Sequence, residues 1–170
     1  MKPDLVKTIL AIEPTGLLHG DAIGGNGNLL NQTIASLPLS YGVEENSGGS
    51  CSSKPCLRVT AIQAGPQELQ QCALQSEPVC WLTKLSTVPV VLVTAEASYH
   101  AVFDRGTVEF LRQAGVSVDW LCLELEGIHG NGHMMFMEKN SDEIADLLHR
   151  RILGIINEQN RNRDFLGVKA

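Results

Sequence analysis

Val88–Ala95 reads VPVVLVTA, eight residues in which Thr94 carries the one polar side chain. A continuous, β-branched run of this kind, without the alternation of a half-exposed strand, is how a parallel strand covered on both faces reads. Beyond it, Phe103, Thr107, Phe110, Leu111 and Ala114 recur at helical spacing and the pattern stops at Gly115, a residue suited to the left-handed position that ends helices. The spacing predicts an amphipathic helix over Phe103–Ala114. Val116–Leu125 (VSVDWLCLEL) then alternates as a further strand, followed by the glycine-broken loop Glu126–Gly132. Ser141 caps a last helix, with Asp142 and Glu143 in the first turn, where carboxylates meet the positive end of the helix dipole. Its apolar stripe is Ile144, Leu147, Leu148, Ile152, Ile155 and Ile156, with Arg150 and Arg151 on the other side. It is expected to run to about Asn157, with a polar, fraying tail from Glu158.

Toward the N-terminus, Leu5–Ile12 (LVKTILAI), bounded by Pro3 and by Glu13-Pro14, is a short apolar run that favours a strand. Between the two apolar runs, Leu17–Ser53 turns to Gly, Asn, Ser and Pro, with GGNGN at Gly24–Asn28 and ENSGGSCSS at Glu45–Ser53, and reads as loop. Gln67–Leu85 has helix-compatible stretches, with Leu69, Cys72, Ala73 and Leu82 able to face a core, interrupted by Pro78. The order is strand, long excursion, strand, helix, strand, loop, helix, which is the grammar of a parallel α/β sheet. The expected units are a first strand and its loop (1–16), a loop-rich excursion (17–86), a strand-helix-strand-helix core (87–157) and a flexible tail (158–170).

With 170 residues, 44% apolar and 19% charged, the chain can build one ordinary core. A net charge of -6 and a pI near 5.3 remove the electrostatic footprint of phosphate-backbone binding, so no nucleic-acid partner is expected. No apolar run approaches the roughly 18–20 residues of a membrane-spanning helix, and the first residues lack the apolar region of a secretory signal. The chain is therefore expected to be soluble, and its compartment stays open. The cysteines (Cys51, Cys56, Cys72, Cys80 and Cys122) match no zinc template. Cys122 reads as a buried thiol. Cys51 with Cys56, or Cys72 with Cys80, could be bridged in an oxidising compartment.

Ligand sites in parallel sheets lie at the carboxyl ends of strands, and three segments occupy that position: Glu13–Gly16, Glu96–His100 and Gly127–Met135. In the third, His133 stands in GIHGNGHMM among glycines that let the backbone turn while the imidazole projects, the placement a general base needs. Two carboxylates directly follow apolar strands and could orient it, Glu13 and Glu96. His129 and His133 have the i, i+4 spacing of a helical zinc pair, but Gly127, Gly130 and Gly132 argue against a helix and no HExxH is present, so neither metal nor cofactor is expected.

The strings IEPTG (Ile12–Gly16), VPVVLVTAEASYHAVFDRGTVEFLRQAGV (Val88–Val116) and GIHGNGHMMFMEKNSDEIA (Gly127–Ala145) resemble the closing part of an α/β-hydrolase family of esterase-like proteins that includes an atypical bacterial esterase. The resemblance spans roughly Val6–Gly20 and Gln71–Ile152. It implies a partial α/β-hydrolase fold, its three parallel strands corresponding to the last strands of the family's sheet. It further implies that His133 is the catalytic base and that the triad acid follows the sixth strand, at Glu13, with Glu96 at the more usual position after the seventh. The family's nucleophile lies in a G-x-S-x-G elbow, and no such string occurs here. Ser50 and Ser98 lack its glycines. The elbow, the earlier strands and the oxyanion-hole donors are therefore expected outside this chain. The expected function is that of a truncated or degenerate ester hydrolase, inactive alone, whose parent, compatibly with secretion, takes a small-molecule ester. The alternatives are a non-catalytic protein pairing through the unpaired apolar strand 5–12 and, as a third, hydrolysis by Ser98 or a cysteine.

Overall fold

A computed structural model describes residues 5–14, 41–42, 57–63, 69–77, 79–102 and 104–165, so most of the stretch 17–53 and the GGNGN segment lie outside the described residues. In chain order the elements are β1 (Ile9–Ile12), β2 (Tyr41–Gly42), β3 (Leu57–Gln63), β4 (Leu69–Gln75), β5 (Trp81–Leu82), β6 (Val90–Thr94), α1 (Asp104–Gln113), β7 (Val118–Cys122) and α2 (Ser141–Phe165). Single 3-10 turns follow at Leu123–Glu126 and Met135–Met137.

β1, β6 and β7 form a parallel sheet in that order, with Ile9 opposite Val90 and Ile12 opposite Val93 on one side, and Val90 opposite Val118 and Thr94 opposite Cys122 on the other. Every residue of the central strand β6 is buried, which is why its sequence is apolar without alternation. Successive side chains leave a strand on opposite faces. Val90 accordingly joins Leu82, Phe110, Ala114 and Val116 in one core cluster, whereas Val91 and Val93 join Leu121, Leu123, Ile144 and Leu148 in the other. A three-stranded parallel sheet with two helices is compatible with a partial α/β fold.

Four boundaries depart from expectation. β7 spans Val118–Cys122 and not Val116–Leu125, because the ladder with β6 ends at Cys122 opposite Thr94 and Leu123–Glu126 turns into a 3-10 helix. β1 starts at Ile9, not Leu5, because the ladder begins where its partner does, with the Ile9 amide donating to the Pro89 carbonyl at 3.0 Å, and Leu5 is left exposed. Among the described residues of Gln67–Leu85 there is no helix: Leu69–Gln75 is a strand paired antiparallel with Leu57–Gln63, and Trp81–Leu82 pairs with Tyr41–Gly42. Seven paired residues on β3 override a weak local helical preference. Finally, α2 continues past Asn157 to Phe165, where fraying was expected. Its later turns are tied to the body of the domain by Gln159, whose Nε2 donates to the Lys7 carbonyl at 2.8 Å.

Gly115 ends α1 at φ +78, and the Val116 amide donates to the Leu111 carbonyl at 2.9 Å to close the helix end. A Cβ here would stand 2.7 Å from two atoms of the Trp81 ring. Gly115→Ala therefore combines a left-handed backbone with a clash against a packed indole, and is expected to lower stability by about 1–3 kcal/mol in urea denaturation.

Candidate active site

Directly after β1 comes Glu13, whose φ of +47 is a conformation that non-glycine residues seldom adopt. Its amide still donates to the Val93 carbonyl, at 3.0 Å, so the chain turns sharply while held to β6. The carboxylate then caps the end of β6. Oε1 accepts from the Ala95 amide at 2.6 Å and Oε2 from the Ser98 hydroxyl. The buried Ser98 Oγ in turn accepts from the His100 amide at 3.0 Å. Ser98 is thus engaged both as donor to the Glu13 carboxylate and as acceptor from a backbone amide, and it is buried.

Behind this turn lies a buried polar network. Asp104, the first residue of α1 and fully buried, accepts through Oδ2 from the Thr94 hydroxyl at 2.6 Å, and Thr94 Oγ1 accepts from the Trp120 indole N–H at 3.0 Å. Asp104 Oδ1 stands 4.0 Å from His100 Nδ1. Burial pushes the Asp104 carboxyl up to about 7, against the Thr94 hydrogen bond that favours the ionised form and with the help of the nearby Glu13 charge. Glu13, His100 and Asp104 each bring one potential ligand atom within 4.8 Å of the others, a set that could offer two oxygens and a nitrogen to a divalent ion. Both Glu13 oxygens and Asp104 Oδ2 already accept hydrogen bonds, which account for those three atoms without an ion.

The His133 loop docks on the same turn. Gly127 and Gly130 adopt φ of +81 and +79, which breaks the helix that an i, i+4 histidine pair would need. Asn131 is buried, and its carbonyl accepts from the Ala97 amide at 2.9 Å. Its side-chain amide donates to Glu138 at 2.6 Å and to Asn140 at 2.7 Å, while Glu138 accepts from the Gly132 amide at 2.8 Å. These bonds clamp the backbone on both sides of an exposed His133, whose ring meets Tyr99 edge-on at 4.9 Å and lies 6.3 Å from the His100 ring. Glu96 accepts from the Gly130 amide at 2.8 Å and stands 3.3 Å from His129 Nδ1. The Gly130 N–H, more than His129, holds its carboxyl below the usual range.

Of the residues singled out from sequence, Glu13 and His133 therefore meet opposite ends of one short turn: Glu13 holds Ala95 and Ser98, and Tyr99 abuts His133. Glu96 braces the base of the histidine loop. Among the described residues no hydrogen bond joins His133 to either carboxylate. Sequence reasoning passed over Asp104, His100, Tyr99 and Asn131. Asp104 at a helix start looks like an ordinary first-turn carboxylate, and nothing local signals its burial. Cys80 is disulfide-bonded and Cys122 is a free, half-buried thiol; the side chains of Cys51, Cys56 and Cys72 lie outside the described residues.

The chain is 40% identical over 147 residues to a protein described as "Probable secreted lipase phiG" from Fungal sp. (strain ATCC 74256), a match covering 86% of this chain and 39% of that relative. The chain thus spans well under half the length of the curated relative it matches. No family model and no solved structure matches. The similarity supports kinship with lipase- and esterase-like hydrolases.

Proposed function

We propose that this chain carries the base and the acid of a Ser-His-Glu ester-hydrolysing site, with His133 as general base, Glu13 as the carboxylate that orients it, and a serine outside these 170 residues as nucleophile. The observation that carries this reading is the convergence of Glu13 and His133 on the Ala95–His100 turn at the carboxyl ends of parallel strands, where such sheets bind ligands. Forty per cent identity to a probable secreted lipase favours an ester as substrate. In this mechanism His133 takes the serine proton as the serine oxygen attacks the ester carbonyl, then returns it to the leaving alcohol. A water repeats the sequence to release the acid. Glu13 stabilises the imidazolium formed in between. Its present partners, the Ala95 N–H and the Ser98 hydroxyl, hold the carboxylate in place while leaving lone pairs on both oxygens.

The test is a chimera in which this chain replaces the matched region of the fungal lipase. The chimera is expected to hydrolyse short-chain nitrophenyl esters and to be labelled by a fluorophosphonate probe, whereas the 170-residue chain alone does neither. Labelling of the chain alone would assign the nucleophile to one of its own serines. A second reading rests on β1 being an edge of the sheet among the described residues, with Ile12 38% exposed: the chain would then pair through that edge, with a second copy or with another hydrolase, without catalysing anything. A folded chimera that binds no probe and hydrolyses nothing would put this reading first.

A further inference from the structure

At the carboxyl ends of β6 and β7 a cleft of about 210 Å³ opens beside the Glu96 turn. Its walls include Ala101, Val102, Cys122 and Trp120, and Glu96 and Glu124 contribute two carboxylates; among the described residues no lysine, arginine or histidine lines it. The Trp120 indole N–H is committed to Thr94 Oγ1, so what the ring can offer a ligand is its π-surface and not a polar edge. Glu96 is kept ionised by the Gly130 N–H. Burial first, then the charges of Glu124 and Asp104, push the Cys122 thiol up to about 11.

An apolar wall, an aromatic ring and two carboxylates, only one of which has an imidazole nearby (His129, 3.3 Å from Glu96), repel anions and favour a cation. Calcium would want six to eight oxygens, and beyond the two carboxylates this lining offers only the Thr94 hydroxyl, already bonded to Asp104 and Trp120, with alkyl groups, sulfur and an indole making up the rest. The cleft is smaller than the roughly 300–1,000 Å³ of pockets for drug-sized ligands, which limits the occupant to a few heavy atoms. We infer that this cleft binds a small alkylated ammonium ion, with Glu96 and Glu124 supplying the charge and Trp120 a cation–π face. The assignment stands whether or not the chain belongs to a working hydrolase. Because the cleft lies at β6 and β7, pairing through β1 would leave it open.

The experiment is a titration of the ¹⁵N-labelled 170-residue chain with choline, following the indole N–H resonance of Trp120. Trp81→Phe assigns it, since the sequence has two tryptophans. The expected result is a saturable shift, with the neutral isostere of choline, carbon replacing nitrogen, binding about tenfold more weakly. Glu124→Gln and Glu96→Gln are each expected to weaken choline several-fold while leaving the isostere unchanged. Glu124 is exposed and outside the buried network, so its substitution spares the fold. Equal affinity for choline and isostere, choline binding unmoved in Glu124→Gln, or no saturation by roughly 10 mM choline would each overturn the assignment.

Discussion

Replacing His133 by alanine in the hydrolysing chimera is expected to lower kcat by roughly 10³- to 10⁴-fold with little change in KM, because the group removed moves a proton only in the transition state. The substitution is clean in structural terms. His133 is exposed, its ring meets Tyr99 and His100, and its loop is held independently by Asn131 and Glu138. The two carboxylates can be separated in the same assay. Glu13→Gln should cost roughly 10²- to 10⁴-fold in kcat, since a neutral amide no longer stabilises an imidazolium. Glu96→Gln, which loses a brace at the Gly130 amide and no partner of His133, should cost about tenfold or less. A reversal of those two results would move the acid to Glu96. Equal, small effects of His133→Ala and of both glutamine variants would remove the triad altogether.

Asp104→Asn is expected to stabilise the chain near neutral pH and to flatten its stability profile. The Asp104 carboxyl titrates near 7 in the fold against an ordinary 3.8, so between those values the unfolded chain is ionised while the folded chain keeps its proton. The folded state binds the extra proton, and stability falls as pH rises through this window before levelling above about 7. The ceiling on that loss is roughly 4 kcal/mol, taking 1.36 kcal/mol per pH unit. Asparagine keeps an oxygen that can accept from the Thr94 hydroxyl and never ionises. Urea midpoints at pH 5 and pH 8 should therefore differ less in Asp104→Asn than in the parent, with the variant ahead by about 2–4 kcal/mol at pH 8. A variant less stable than the parent at both pH values would mean that the Asp104 charge is a favourable partner of His100 and not a burden of burial.

The strand within Val88–Ala95, the helix now seen over Asp104–Gln113 and the last helix were legible in residue order because hydrophobic period is a local property, although Ser141 proves to be the first helical residue, with the Asn140 carbonyl before it accepting from Ile144 N–H, and not the cap. The same holds for the three loops worth examining, since a polar residue directly after a buried strand must lie at the strand's carboxyl end. Glu13, Glu96 and His133 were each visible in that way. Their partners were not. Glu13 finds Ala95 and Ser98 more than eighty residues away, a pairing that exists because β1 and β6 run parallel in one particular register. The burial of Asp104, the fold of Leu69–Gln75 as a strand and the continuation of α2 to Phe165 depend likewise on contacts between distant segments. Residue order could name the chemical groups, but which carboxylate is ionised, which is tied down and which faces a cleft is set by the low-dielectric, hydrogen-bonded surroundings that only the assembled sheet creates.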